Sequence, residues 1–318
     1  MIMDISEQIR QVACNLLKEE KVDLVIGFEQ GSLALHTTPC FIRHEEEAGR
    51  LIWNSFCANN VATHLVKRQD RVAIVAKGCD SRAVVELIKE RQIRREQLTV
   101  IGVPCQGMVD SGRVEAELGG NEVLEVEEKG ESLLLKGKGF TSTLDREAYL
   151  YPCCDVCTHR NPVICDILIG DTVEERAADE YNDVAAFESR SVEDRWEYFS
   201  QEVSKCIRCY ACRNACPLCY CPECFVDKTR PQWIGKTINI SDTQIFHLTR
   251  AFHLAGRCVE CGACERACPV GVDIRALNRK LVMDVDRLFG YKAGTSLDEL
   301  APLTTFKPDD TEGFMLNP

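Results

Sequence analysis

Twenty of the 318 residues are cysteine, and eight of these fall into two identically spaced runs. Cys206-x2-Cys209-x2-Cys212-x3-Cys216-Pro217 is followed by Cys258-x2-Cys261-x2-Cys264-x3-Cys268-Pro269. A run of this spacing lets three thiolates wrap one face of a [4Fe-4S] cubane, while the fourth, just before the proline, ligates the other cluster. Taken as a pair, the runs assign Cys206, Cys209, Cys212 and Cys268 to cluster one. Cluster two then has Cys258, Cys261, Cys264 and Cys216. Zinc is the competing use of Cys-x2-Cys, but a tetrahedral zinc site is complete with four ligands and needs no third Cys-x2 step. Paired cubanes carry electrons.

Composition limits the context. A chain of 318 residues holds a sizeable core and more than one domain. In a small secreted chain this cysteine usage would mean a disulfide scaffold. Here MIMDISEQIRQVACNLLKEE opens as a charged amphipathic helix with no apolar signal core. No apolar stretch approaches the ~20 residues that span a bilayer. The cysteines are therefore expected to be metal ligands and buried thiols in a reducing cytoplasm, and oxidation-prone clusters suit an anaerobic host. A net charge of −12 argues against nucleic-acid binding, and no basic amphipathic segment offers a membrane-surface anchor.

The first half has α/β rhythm, predicting a parallel-sheet domain with a small β insertion over residues 1–171. Ile5, Ile9, Val12, Ala13, Leu16 and Leu17 recur at helical spacing over 4–19. Residues 22–28 read as a buried strand and 51–68 as a second helix. RVAIVA (71–76), DSRAVVELIKERQ (80–92) and LTVIGVP (98–104) form a strand–helix–strand crossover, the unit of a parallel sheet. Residues 113–148 hold short strands with turns at Gly119, Gly120 and Gly130. An acidic, partly helical linker (172–204) leads to a mainly helical, two-cluster ferredoxin-like domain (205–291). Its helices are expected at 241–256, capped by Ser241 or Asp242 and ended at Gly256, and at 272–289. The tail, 292–318, shows no packing period and is expected to be mobile or to lie across a partner.

A second cysteine set is scattered. Cys79 sits in KGCDSRAV where a strand meets a helix, Cys105 in IGVPCQG past the next strand, and Cys154 and Cys157 in YPCCDVC. Neighbouring parallel strands end on one edge of a sheet, which brings Cys79 and Cys105 within reach of each other. Spacing alone leaves core thiols as the alternative. Taken in order, KGCDSRAVVELI, VIGVPC, YPCCDVC and CDILIGD resemble the coenzyme F420 hydrogenase/dehydrogenase beta-subunit family over roughly residues 20–171. The resemblance implies that Cys79, Cys105, Cys154 and Cys157 ligate a third [4Fe-4S] cluster. It also implies a flavin, FAD, near Gly78, Asp80, Ser81 and Arg82, its phosphate at the helix N-terminus. Read from the residues, that stretch is equally a strand–helix turn capped by Asp80 or Ser81.

Members of the family more often carry the ferredoxin module before this domain; here it follows. AFHLAGRCVECGACERACPVGVDI is instead similar to electron-transfer subunits of heterodisulfide-reductase and succinate-dehydrogenase type. Together the resemblances imply an electron-transfer subunit of an oxidoreductase complex. Its expected partners are heterodisulfide-reductase, formate dehydrogenase or hydrogenase subunits, with ferredoxin as a further one. A self-sufficient enzyme oxidising reduced F420 or NAD(P)H, and a non-catalytic iron–sulfur scaffold or sensor, are the other classes.

Cys219, Cys221 and Cys224, in CPLCYCPEC, are expected beside cluster one, tuning it through hydrogen bonds, with local closure of that cluster or a fourth cluster as alternatives. Cys14, Cys40, Cys57 and Cys165 read as core thiols. Cys153 resembles the paired cysteine of noncubane thiol-reducing clusters without the rest of that signature. His247 and His253 lie on an apolar helix as packing residues, and His36, His44, His64 and His159 show no metal spacing. No Gly-x-Gly-x-x-Gly opens a helix after a strand, so a Rossmann nicotinamide site lacks its fingerprint.

Overall fold

A computed structural model describes residues 4–177 and 181–305. Helix α1 (Ile5–Lys18) packs down through Ile9, Ala13, Leu16 and Leu17. β1 (Leu24–Gln30) and β2 (Thr37–Ile42) pair antiparallel. β3 (Val72–Ala76) lies parallel to β1, leads into α2 (Gly78–Lys89), and is followed by β4 (Leu98–Gly102), parallel to β3. After α3 (Ser111–Glu117) comes an antiparallel meander of β5 (Val123–Lys129), β6 (Ser132–Gly137) and β7 (Phe140–Asp145). The single turn α4 (Pro152–Asp155) precedes β8 (Ile167–Leu168), which completes a main sheet of order β2-β1-β3-β4-β8. The rest is helical: α5 (Asn182–Glu188), α6 (Val192–Ser204), α7 (Ala211–Asn214), α8 (Ile240–His253), α9 (Ala263–Arg266) and α10 (Arg275–Phe289). The fold is therefore a parallel-sheet α/β region with a small β insertion, followed by a mainly helical one.

Strand alternation explains why the sheet is covered on both sides. Leu24, Ile26, Phe28, Val72, Ile74 and Ala76 pack with Ala83, Val84 and Leu87 of α2. Val25, Ala73, Val75 and Ile101 pack with α1 on the other side. Near-continuous apolar strands of this kind are what a sheet buried on both faces requires.

Several elements differ from expectation. Residues 51–68 form no α-helix: they hold only a short 3-10 turn, Val61–His64. Asn54 Oδ1 accepts from Phe56 N–H and Asn60 Oδ1 from Ala62 N–H, side-chain turns that compete with helical hydrogen bonding. β2 has no strand signature in the sequence because Pro39 interrupts it, which an edge strand tolerates. Neither expected residue caps α8; Asn239 precedes it, and the Asp242 carboxylate instead accepts from Gly235 N–H and Thr237 Oγ1.

The acidic stretch is built into the helical region. Asp183 pairs with Arg275 and Arg279, and Tyr198 Oη donates to Asp273. Residues just past α10 are likewise packed. Tyr291 and Ala293 are buried, Tyr291 Oη donates to Glu86 at 2.8 Å, and Arg82 of α2 donates to Ala293 O. The start of the tail, expected to be mobile, therefore straps the helical region onto α2, while residues 306–318 lie outside the described residues.

Candidate metal centres

The two cysteine runs fold alike. Arg208 and Tyr210 in the first take left-handed backbone conformations (φ 56° and 61°), and Glu260 and Gly262 repeat them in the second (58° and 67°). These reversals coil the chain between successive thiols and turn N–H groups inward; Arg208 N–H donates to Cys206 Sγ at 3.4 Å. Each run then enters a single helical turn, α7 or α9, and these two turns pack together. Tyr210 accepts the backbone strain. At Gly262 a Cβ would stand 2.5 Å from Cys153 Sγ, so that position demands glycine.

Packing carries each fourth cysteine across to the other run. Cys206, Cys212 and Cys268 share an apolar cluster with Phe246, Val272 and Ile274. Burial raises the Cys206 and Cys212 thiols, the latter to about 11, and nearby Cys268 adds to both shifts. Cys216 packs with Cys258 and Cys261 instead. It adds to the upward shifts that burial imposes on Cys261 and Cys264. Cys264 also faces Cys212, so the two sets adjoin. Cys209 is exposed at the outer end.

The scattered set converges as well. Cys79, in the first turn of α2, Cys105, past β4, and Cys154 and Cys157, in and after α4, line one cavity of about 50 Å³. Cys79 and Cys105 follow the carboxyl ends of adjacent parallel strands, the edge where α/β sheets build their sites. Burial pushes the Cys105 thiol up to about 12 and drives Cys79 well up, whereas a hydrogen bond from Cys153 lowers Cys154. Gly107 N–H donates to Cys105 Sγ and Met108 N–H to Cys154 Sγ, each at 3.4 Å. Cys261 of the second run lines the same cavity.

Three sets of four thiols thus stand in a row. Their donor chemistry fits [4Fe-4S] clusters, since thiols give up their protons to bind metal and soft thiolates suit iron–sulfur centres. Among the described residues no three Cys, His, Asp or Glu side chains close in tightly enough to share one metal ion. A cubane instead offers each thiolate its own iron.

The residues expected to hold FAD are spent elsewhere. Asp80 accepts from Lys77 N–H at 3.0 Å and forms a buried ion pair with Lys77 Nζ at 2.8 Å. Ser81 Oγ donates to Gly78 O and accepts from Val163 N–H, and Arg82 donates to Ala293 O and Val259 O. A Cβ on Gly78 would lie 2.0 Å from His159 O. This helix start is closed against neighbouring backbone and leaves no face for a phosphate; its geometry is the capped turn.

The remaining cysteines divide. Cys219 hydrogen-bonds with Cys216, beside cluster two rather than cluster one, while Cys224 packs with Cys206, Cys212 and Cys268. Cys40 and Cys57 are buried core thiols, but Cys14 is only partly covered and Cys165 is exposed beyond the sheet edge. Cys153 is a link that spacing does not reveal: it lies 3.9 Å from Cys154 Sγ and 3.8 Å from Cys261 O, between two thiol sets. Arg250 and Arg266, which reach the thiol sets, carry no signal in the sequence either, because an arginine in an amphipathic stretch reads as surface. His247 is packed against Phe246 and pushed down to about 4 by burial.

Comparison with known proteins agrees with this division. Residues 69–202 match the family model for the C terminus of the coenzyme F420 hydrogenase/dehydrogenase beta subunit, and residues 202–272 match a 4Fe-4S dicluster domain. The F420-dependent formate dehydrogenase subunit beta of Methanocaldococcus jannaschii is 24% identical, the alignment covering 91% of each chain. The F420-dependent formate dehydrogenase 1 subunit beta of Methanococcus maripaludis is also 24% identical, over 90% of this chain and 89% of that one. A chain of the F420-reducing [NiFe] hydrogenase complex from Methanosarcina barkeri is 17% identical with a TM-score of 0.39, covering 48% of this chain and 58% of that chain. No helix among the described residues is long and apolar enough to cross a membrane. The chain carries the C-terminal domain of the coenzyme F420 hydrogenase/dehydrogenase beta-subunit family joined to a 4Fe-4S dicluster domain, and is an iron–sulfur electron-transfer protein.

Proposed function

We propose that the chain is the electron-transfer subunit of an oxidoreductase complex, in which three [4Fe-4S] clusters relay single electrons between a two-electron carrier and a partner subunit. The row of three thiol sets supports this most directly: Cys79, Cys105, Cys154 and Cys157 stand next to Cys258, Cys261, Cys264 and Cys216, which stand next to Cys206, Cys209, Cys212 and Cys268. Bound there, the clusters supply one-electron storage. The exposed Cys209 end is where we expect the partner to dock.

The names of the two relatives point to a formate dehydrogenase or hydrogenase-type partner and to coenzyme F420 as the carrier. Coupling a two-electron carrier to one-electron clusters calls for a flavin. For FAD we propose the open cleft of about 490 Å³ bordered by Trp53, Ser55, Cys105, Gln106, Gly107 and Arg146, beside the inner thiol set. Ser55 and Arg146 are held there by each other and by Glu128.

Reduced F420 added anaerobically to the purified chain is expected to bleach the clusters and reduce a dye, with about one acid-extractable FAD per chain. NAD(P)H is expected to do neither. Bleaching by NAD(P)H but not by reduced F420 would contradict the carrier assignment, and clusters that dithionite cannot reduce would mark a structural role.

A further inference from the structure

We propose that Arg266 electrostatically couples the Cys79–Cys105–Cys154–Cys157 cluster to the Cys258–Cys261–Cys264–Cys216 cluster, one guanidinium between them raising the reduction potential of both. The inference rests on the three-cluster reading and concerns a residue to which that reading gives no role.

Arg266 lines the cavity of the third thiol set. From there Nη1 donates to Cys261 O at 2.8 Å and to Cys153 Sγ at 3.5 Å, and Nη2 donates to Ala58 O at 2.6 Å. The Tyr151 ring, its centroid 5.1 Å away, backs the guanidinium. These contacts fix the group from several sides, and none is a carboxylate. Among the described residues Arg266 forms no ion pair. Holding a guanidinium away from water without a counter-charge is costly. The thiols around it, Cys153, Cys261, Cys154 and Cys79, belong to both sets or to the link between them. Ligated clusters would supply the missing negative charge.

The internal repeat sharpens the point. Two residues past the third cysteine, the second run has Arg266 where the first has Asn214. The second run borders the scattered set, through Cys261. The cation stands where two clusters adjoin across α4.

Reduction adds an electron to an already anionic cluster, so a fixed cation close by stabilises the reduced form more than the oxidised one. Net charge, hydrogen bonds to sulfur and exposure are the levers that set cluster potentials. Placed between two clusters, one cation favours electron residence on both and softens the repulsion between them when both are reduced. Cluster one, at the far end, feels it least.

The test uses full-length chain purified anaerobically, with iron counted first and EPR-monitored redox titration second, for wild type, Arg266→Gln and Arg266→Lys. Arg266→Gln is expected to keep its iron and to lower two of the three midpoint potentials. The expected shift is at least a tenfold change in the reduced-to-oxidised ratio, about 59 mV for a one-electron couple. Arg266→Lys should recover much of it, and the third signal should stay in place. Loss of iron from Arg266→Gln but not from Arg266→Lys would equally support a charge role. Unchanged potentials at full iron, or equal loss of iron from both variants, would overturn it. A wild-type count near eight irons would defeat the three-cluster reading itself, on the unmutated protein alone.

Discussion

Replacing Cys216 with serine is expected to abolish the EPR signal of the cluster assigned to Cys258, Cys261 and Cys264, although Cys216 lies 42 residues before Cys258 in the chain. Cys216 packs with Cys258 and Cys261 and faces Cys264, whereas Cys268 sits with Cys206 and Cys212. A serine oxygen is a harder and poorer ligand than a thiolate. Cys261→Ser should lose the same signal, and Cys268→Ser the other. Cys219, hydrogen-bonded to Cys216, is the nearest substitute ligand, and the double variant Cys216→Ser/Cys219→Ser closes that route. If Cys216→Ser and Cys261→Ser instead remove different signals, each run closes its own cluster and crossed ligation is wrong.

Asp80→Asn is expected to be the most damaging conservative change in the α/β region. Lys77 and Asp80 are 1% and 0% exposed and meet at 2.8 Å. Burial works against the Lys77 charge, and Asp80, then the Cys79 thiol, more than restore it. Asparagine preserves an acceptor for Lys77 N–H but leaves the ammonium uncompensated. Breaking a buried pair from one side costs about 3–5 kcal/mol. For a protein of this size that lowers the melting temperature by on the order of 10 °C. Thermal melts of the metal-free chain measure the full effect. With clusters in place the loss should shrink, because thiolates at Cys79 and Cys105 then face Lys77. A shift of under ~2 °C in both forms would contradict the account.

How much of this is legible in the sequence follows from where the information lies. The α1 stripe, the β3–α2–β4 crossover and both cysteine runs are local patterns, and they fold as their periodicity requires. The stretch 51–68 misleads because its apolar residues carry helical spacing while Asn54 and Asn60 turn the backbone aside. The flavin expectation rests on a helix N-terminus. Nothing local reveals that His159 and Val163 close over it, since those contacts span some eighty residues. The same holds for the strap at Tyr291 and Ala293, whose partners Arg82 and Glu86 lie about two hundred residues earlier. The scattered thiols are a weak signal in spacing, and topology gathers them: two parallel strands end side by side, and α4 brings Cys154 and Cys157 to the same edge.

The account stands on three thiol sets holding three cubanes, and the iron count addresses that without mutation or partner. Full-length chain purified without oxygen is predicted to contain about twelve iron and twelve acid-labile sulfide per chain, falling to about eight of each in Cys105→Ser. About eight in the wild type, unchanged by Cys105→Ser, or zinc in place of iron, would contradict it.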